Sequence, residues 1–148
     1  MKKYVMFEVI VIILLVLFTL SCNKTDRDNA KAMYNSQASN SNRQALTSDL
    51  YYLASLAQDF YKKPIINNGG GNSWSSNVDN VGKILAKDYN ISENTLSTKN
   101  GKFILSISGD VLKIVGTGNK LGNDKTTNVK ATISITGAKS NYVVKVNN

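Results

Sequence analysis

Hydrophobic positions fall along this chain in three different rhythms, and each predicts a different element. Behind Lys2 and Lys3, Val5 to Leu20 is an almost unbroken apolar run with Glu8 as its one charged residue, closed by Ser21-Cys22. Its length suits a short membrane helix or a signal-peptide core. Asn23 to Asn42 is polar, holds no Gly or Pro, and continues a helix of weak propensity through Ala30, Ala32, Met33 and Ala38. From Arg43 the rhythm sharpens. Ala45, Leu46, Leu50, Leu53, Leu56, Ala57, Phe60 and Tyr61 recur at spacings of three and four, which is one face of an amphipathic helix. Asp49, Gln58 and Asp59 fall mostly off that stripe. Lys62-Lys63 suit a helix C-terminus, and Pro64 pushes the residue before it out of the α region, so the helix ends near Lys62.

The last third changes to a period of two. Phe103, Leu105 and Ile107 alternate with Ile104, Ser106 and Ser108; Gly109-Asp110 turns the chain into Val111–Val115. Gly116 to Asp124 reads as a longer loop. Val129, Ala131, Ile133 and Ile135 alternate with Lys130, Thr132 and Ser134, and a turn at Gly137–Ser140 leads into Tyr142, Val144 and Val146. Two successive hairpins make a four-stranded antiparallel meander with one apolar face, and the helix stripe is the one long element able to cover it. The fold class is α+β: a long N-terminal helix, apolar in its membrane half and amphipathic in its second half, packed on that sheet.

Between helix and sheet, residues 65–101 are punctuation. Asn67-Asn68-Gly69-Gly70-Gly71-Asn72 leads to Trp74, and Val78, Val81, Ile84 and Leu85 suit a short helix or strand. The glycines are a poor phosphate loop, because no strand precedes them and no Gly-Lys-Ser/Thr follows. The organisation is therefore a membrane or export helix over 1–21, a helix continuation and amphipathic helix over 22–64, and loop plus sheet over 65–148. Residues 43–64 join the last part in one globular domain.

Composition narrows the chemistry. There is no His among the 148 residues, so the usual general base and the commonest metal ligand are missing. The ten acidic residues are scattered, and the single Cys excludes an intramolecular disulfide. No enzyme activity and no cofactor are expected. The net charge of +8 comes almost wholly from Lys, spread singly from Lys83 to Lys145 and including Lys113, Lys130 and Lys145 on the strands. That spread suits a solubilising outer sheet face better than a specific nucleic-acid reader, which clusters Arg and Lys with aromatics.

Two N-terminal residues carry the functional argument. A carboxylate inside an apolar run is costly in lipid and demands a partner, which singles out Glu8. Cys22 ends Thr19-Leu20-Ser21-Cys22, a lipobox-like sequence, and is a candidate lipidation site.

Phe7-Glu8-Val9-Ile10-Val11-Ile12-Ile13 is similar to the N-terminal signature of type IV pilins and pseudopilins. The resemblance continues through Asn42-Arg43-Gln44-Ala45, Asp49-Leu50, Leu53–Gln58, Tyr61-Lys62-Lys63-Pro64 and Gly69–Ser73, then Gly116-Thr117-Gly118 and Gly122-Asn123-Asp124. It implies a structural subunit anchored by a single pass in a bacterial inner membrane, its globular domain outside the cytoplasm. Such a subunit assembles through its N-terminal helix into an extracellular pilus-like fibre or a secretion pseudopilus. Its partners would be further copies, the membrane, and the pilus or type II secretion assembly machinery, with no specific nucleic acid. Glu8 would set the register between subunits. The competing expectation is an exported surface or binding lipoprotein anchored at Cys22. The N-terminus is thus open to prepilin peptidase, to signal peptidase II, or to neither. Some pseudopilins hold calcium in a C-terminal loop; here Asp124 is the one carboxylate of Gly118–Asp124, too little anionic oxygen for a hard cation, so no metal is expected.

Overall fold

The computed structural model describes residues 2–74, 90–92, 94–137, 139 and 142–147, and for 2–23 and 90–92 it describes the backbone alone. One helix, α1, runs from Lys2 to Lys62. It ends where expected, two residues before Pro64, which opens a single 3₁₀ turn over Ile65–Asn67. The terminal carbonyls are capped by the glycine-rich segment. The N–H groups of Gly70, Asn72 and Gly71 donate to the carbonyls of Phe60 (2.7 Å), Tyr61 (2.8 Å) and Lys63 (2.9 Å). Those carbonyls have no partner inside a helix and need one when buried. The glycines are there to let the chain fold back closely on the helix end.

The chain divides into two compact units, Met1–Gln37 and Ala38–Asn148. In the second unit the strands are β1 (Asn90–Ser92), β2 (Thr95–Ser97), β3 (Gly101–Ser108), β4 (Val111–Leu121), β5 (Asn128–Thr136) and β6 (Lys145–Asn147). They form one antiparallel sheet in simple sequence order, β1-β2-β3-β4-β5-β6. The α+β class and the meander stand, but the sheet has six strands where the alternation predicts four. β1 and β2 are three residues each, and β2 has Leu96 as its one apolar residue, so no period of two could reveal it. Val78, Val81, Ile84 and Leu85 lie outside the described residues.

A second correction concerns Gly116–Leu121, which is the second half of β4 and not a loop. Its glycines face the helix. A β-carbon on Gly116 would meet the Phe103 ring at 2.8 Å, and one on Gly118 would meet Leu46 Cδ1 at 3.0 Å. Glycine within a strand often marks such close approach, and here it mimics a loop signal.

Leu46, Leu50, Leu53, Ala57 and Phe60 of α1 are buried with Leu96, Phe103, Leu105, Leu112, Ile114, Ile133 and Ile135 of the sheet in a single core. Register explains the match: Leu105↔Ile114↔Ile133 and Ile107↔Leu112↔Ile135 are cross-strand rows on one face. Leu56 and Val144 pack at its margin.

Candidate functional site

Glu8 and Cys22 both lie on α1, and their side chains are outside the described residues. At 1.5 Å per residue the two positions are about 21 Å apart along the axis. Among the described residues no helix is long and apolar enough to cross a membrane. Lys24 to Gln37, the next part of α1, is exposed at every position, including Met33 at 71% and Tyr34 at 69%. A helix exposed on all sides buries no apolar face of its own. Asp28 stands four residues after Lys24 and three before Lys31, spacings that support an isolated helix by only a few tenths of a kcal/mol each.

The amphipathic part of α1 is fixed to the sheet by polar groups at both ends. Asn42 Nδ2 donates to the Asn100 carbonyl (2.9 Å), and Asn42 Oδ1 accepts from the Lys120 N–H (3.3 Å). Lys120 lies in a register shift of β4 between Thr117 and Leu121. There Asn128 Nδ2 donates to the Gly118 carbonyl at 2.9 Å. Side-chain amides thus serve backbone groups at the irregularity. Two turns further along, Asp49 Oδ2 accepts from Thr98 Oγ1 and from Asn100 Nδ2, both at 3.0 Å.

At the other end, Gln58 is buried and its Nε2 donates to the carbonyls of Gly137 (2.8 Å) and Lys139 (3.3 Å). Tyr61 packs on Trp74, with ring centroids 4.6 Å apart, and its hydroxyl donates to Asp110 Oδ1 at 3.1 Å. Burial, then the hydrogen bond to Asp110 and its negative charge, raise the Tyr61 pKa above the ordinary tyrosine value. Asp49 and Gln58, which the stripe leaves aside, therefore belong to the helix–sheet contact. Nothing in the helical period marks them; the only signal is a polar residue beside an apolar stripe.

The opposite face of the sheet is wet. Its cross-strand rows are Lys102↔Thr117↔Lys130↔Asn147, Ile104↔Val115↔Thr132↔Lys145 and Ser106↔Lys113↔Ser134. A groove of about 460 Å³ opens there between Lys113, Thr132 and Ser134 on one side and Tyr142, Val143, Lys145 and Asn147 on the other. Its existence follows from the shortness of β6, which pairs with β5 only from Lys130 to Thr132.

The Asp124 carboxylate is turned inward on its own hairpin. Oδ1 accepts the N–H groups of Thr126 and Thr127, both at 3.0 Å, and Oδ2 accepts the Thr127 hydroxyl. That is turn chemistry. Among the described residues no three His, Cys, Asp or Glu side chains group as a metal would need. Comparison of the chain with family models, curated proteins and solved structures finds no match.

Proposed function

We propose that this chain is a structural, pilin-like subunit rather than an enzyme. The apolar run Val5–Leu20 holds it in the inner membrane, with Ala38–Asn148 outside the cytoplasm. The same helix assembles copies into a type IV pilus-like fibre or a secretion pseudopilus. The observation that supports this reading is the continuity of α1 from Lys2 to Lys62 together with the exposure of Lys24–Gln37 on every face. A long solvated helix is marginal alone and gains stability when it is packed by others. Translated copies of one helix supply that packing in a head-to-tail arrangement that does not close.

In this reading Glu8 pairs with the N-terminal amine of a neighbouring copy and sets the axial register, since a carboxylate in an apolar bundle needs a cationic partner. Glu8→Ala is expected to insert in the membrane and to fail to enter fibres. Normal fibres built from that variant would sink the register role.

The second reading is an exported surface or binding lipoprotein. Its support is the position of the single cysteine, Cys22, directly after Thr19-Leu20-Ser21 at the end of the apolar run. Signal peptidase II would remove residues 1–21 and Glu8 with them, leaving residues 23–41 as a tether. Mass spectrometry of the mature N-terminus separates the two. A diacylglyceryl Cys22 as first residue excludes helix-mediated assembly; a start near Tyr4, or an unmodified Cys22 in an intact chain, excludes the lipid anchor.

A further inference from the structure

The outer sheet face carries charge of one sign. Lys102, Lys113, Lys130 and Lys145 stand on four successive strands, β3 to β6, and among the described residues no carboxylate shares their rows. A surface that serves solubility alone intersperses both signs, whereas a one-sign field draws a counter-charged partner. With strands about 4.8 Å apart, lysines on alternate strands stand about 10 Å apart, so one extended chain can run under several of them. Between the lysines the face offers hydroxyls, and the groove between Lys113 and Lys145 is lined by Thr132, Ser134 and Asn147.

We propose that this face docks a linear acidic polysaccharide of the polyuronate class. Its carboxylates meet the lysines, and its sugar hydroxyls meet Thr132, Ser134 and Asn147 in the groove. Ile104, 49% exposed, and Val115 form a small apolar patch in the central row, suited to the C–H face of a sugar ring. The same features argue against a nucleic acid. The rows carry no Arg to fork onto phosphate and no aromatic ring to stack on bases. Tyr142 borders the groove, but its ring lies 6.3 Å from that of Tyr51 and packs against the core. A membrane surface would need protruding apolar side chains in larger number than Ile104 and Val115 supply.

The test uses the full-length chain in nonionic detergent micelles, titrated with fluorescent oligouronates prepared from alginate. Neutral dextran, a short oligothymidylate and phosphatidylglycerol vesicles are the comparison ligands. Saturable, salt-sensitive binding of the oligouronate is expected. The double variant Lys113→Gln/Lys145→Gln should lose about tenfold in affinity, and Lys113→Arg/Lys145→Arg should keep it. Lys62→Gln/Lys63→Gln, at the exposed end of α1, removes the same charge and should change affinity less than about twofold. Absence of saturable oligouronate binding would overturn the proposal. So would an equal loss in the Lys62/Lys63 variant, which would reduce the effect to net charge. Tighter binding of oligothymidylate or vesicles would assign the face to that partner instead.

Discussion

Asn42 and Gly118 meet where α1 crosses the irregular part of β4: a β-carbon added to Gly118 would lie 2.0 Å from Asn42 Oδ1. The same oxygen accepts the Lys120 N–H, and the amide nitrogen donates to the Asn100 carbonyl. Gly118→Ala is therefore expected to displace the amide and leave the Lys120 N–H of β4 and the Asn100 carbonyl unpaired, a cost of about 1–3 kcal/mol. Asn42→Ala loses the same bonds directly. In denaturant melts the double variant should cost less than the sum of the two, because removing the amide also removes the clash. Strict additivity would show that the two residues do not act on one contact.

The apolar contact between helix and sheet is the larger stabilising term. Leu53 is fully buried, and Leu53→Ala is expected to cost about 2–5 kcal/mol. Lys130 is exposed on the outer face, and Lys130→Ala should change stability by less than about 0.5 kcal/mol. A fragment beginning near Asn29 should fold as a monomer and show the same contrast. Equal melts for the two variants would mean that α1 does not cover the sheet.

Tyr61 links stability to alkaline pH. Its folded pKa lies above the ordinary value near 10 because burial and Asp110 both disfavour the phenolate. The folded state thus holds this proton more tightly than the unfolded state. The contribution is complete below the unfolded pKa and is lost as pH rises toward the folded one. Tyr61→Phe should flatten the loss of stability above about pH 10 relative to the parent chain, measured by paired melts. Parallel curves for the two proteins across that range would refute the linkage.

Gly137 closes the same end of the molecule. It has φ +49°, and a β-carbon there would stand 2.5 Å from Asp110 Oδ2 and 3.3 Å from the Tyr61 hydroxyl. Its N–H donates to the Asp110 carbonyl at 2.9 Å and its own carbonyl accepts from Gln58. Gly137→Ala combines left-handed strain with displacement of the Asp110 carboxylate, so a cost of at least about 1–2 kcal/mol is expected. The alkaline limb of the Tyr61 profile should change with it.

The long elements were legible in the order of residues because periodicity records which side of an element is wet. The stripe Leu46, Leu50, Leu53, Phe60 and the alternations Phe103–Ile107 and Val129–Ile135 each repeat several times, and Pro64 stops α1 through its own local sterics. Elements too short to repeat left no such record. β2 exists because Leu96 pairs with Phe103 and joins a core already built, whereas β6, foreseen from Tyr142, Val144 and Val146, pairs with β5 only over Lys145–Asn147.

The glycines and the polar pins depended on tertiary structure altogether. Gly116 and Gly118 have the composition of a turn and the position of a strand, and only the approach of Phe103, Leu46 and Asn42 distinguishes the two. Gly70 and Gly71 look like a flexible loop until the helix end appears beneath them. Asn42, Asp49 and Gln58 lie on α1 among many similar polar residues. Each is singled out by a backbone or side-chain group far along the chain that folding brings within about 3 Å. A hydrogen bond is short-ranged and directional, so its partners are chosen by the packed fold, whereas burial is averaged over a whole face and can be read in advance.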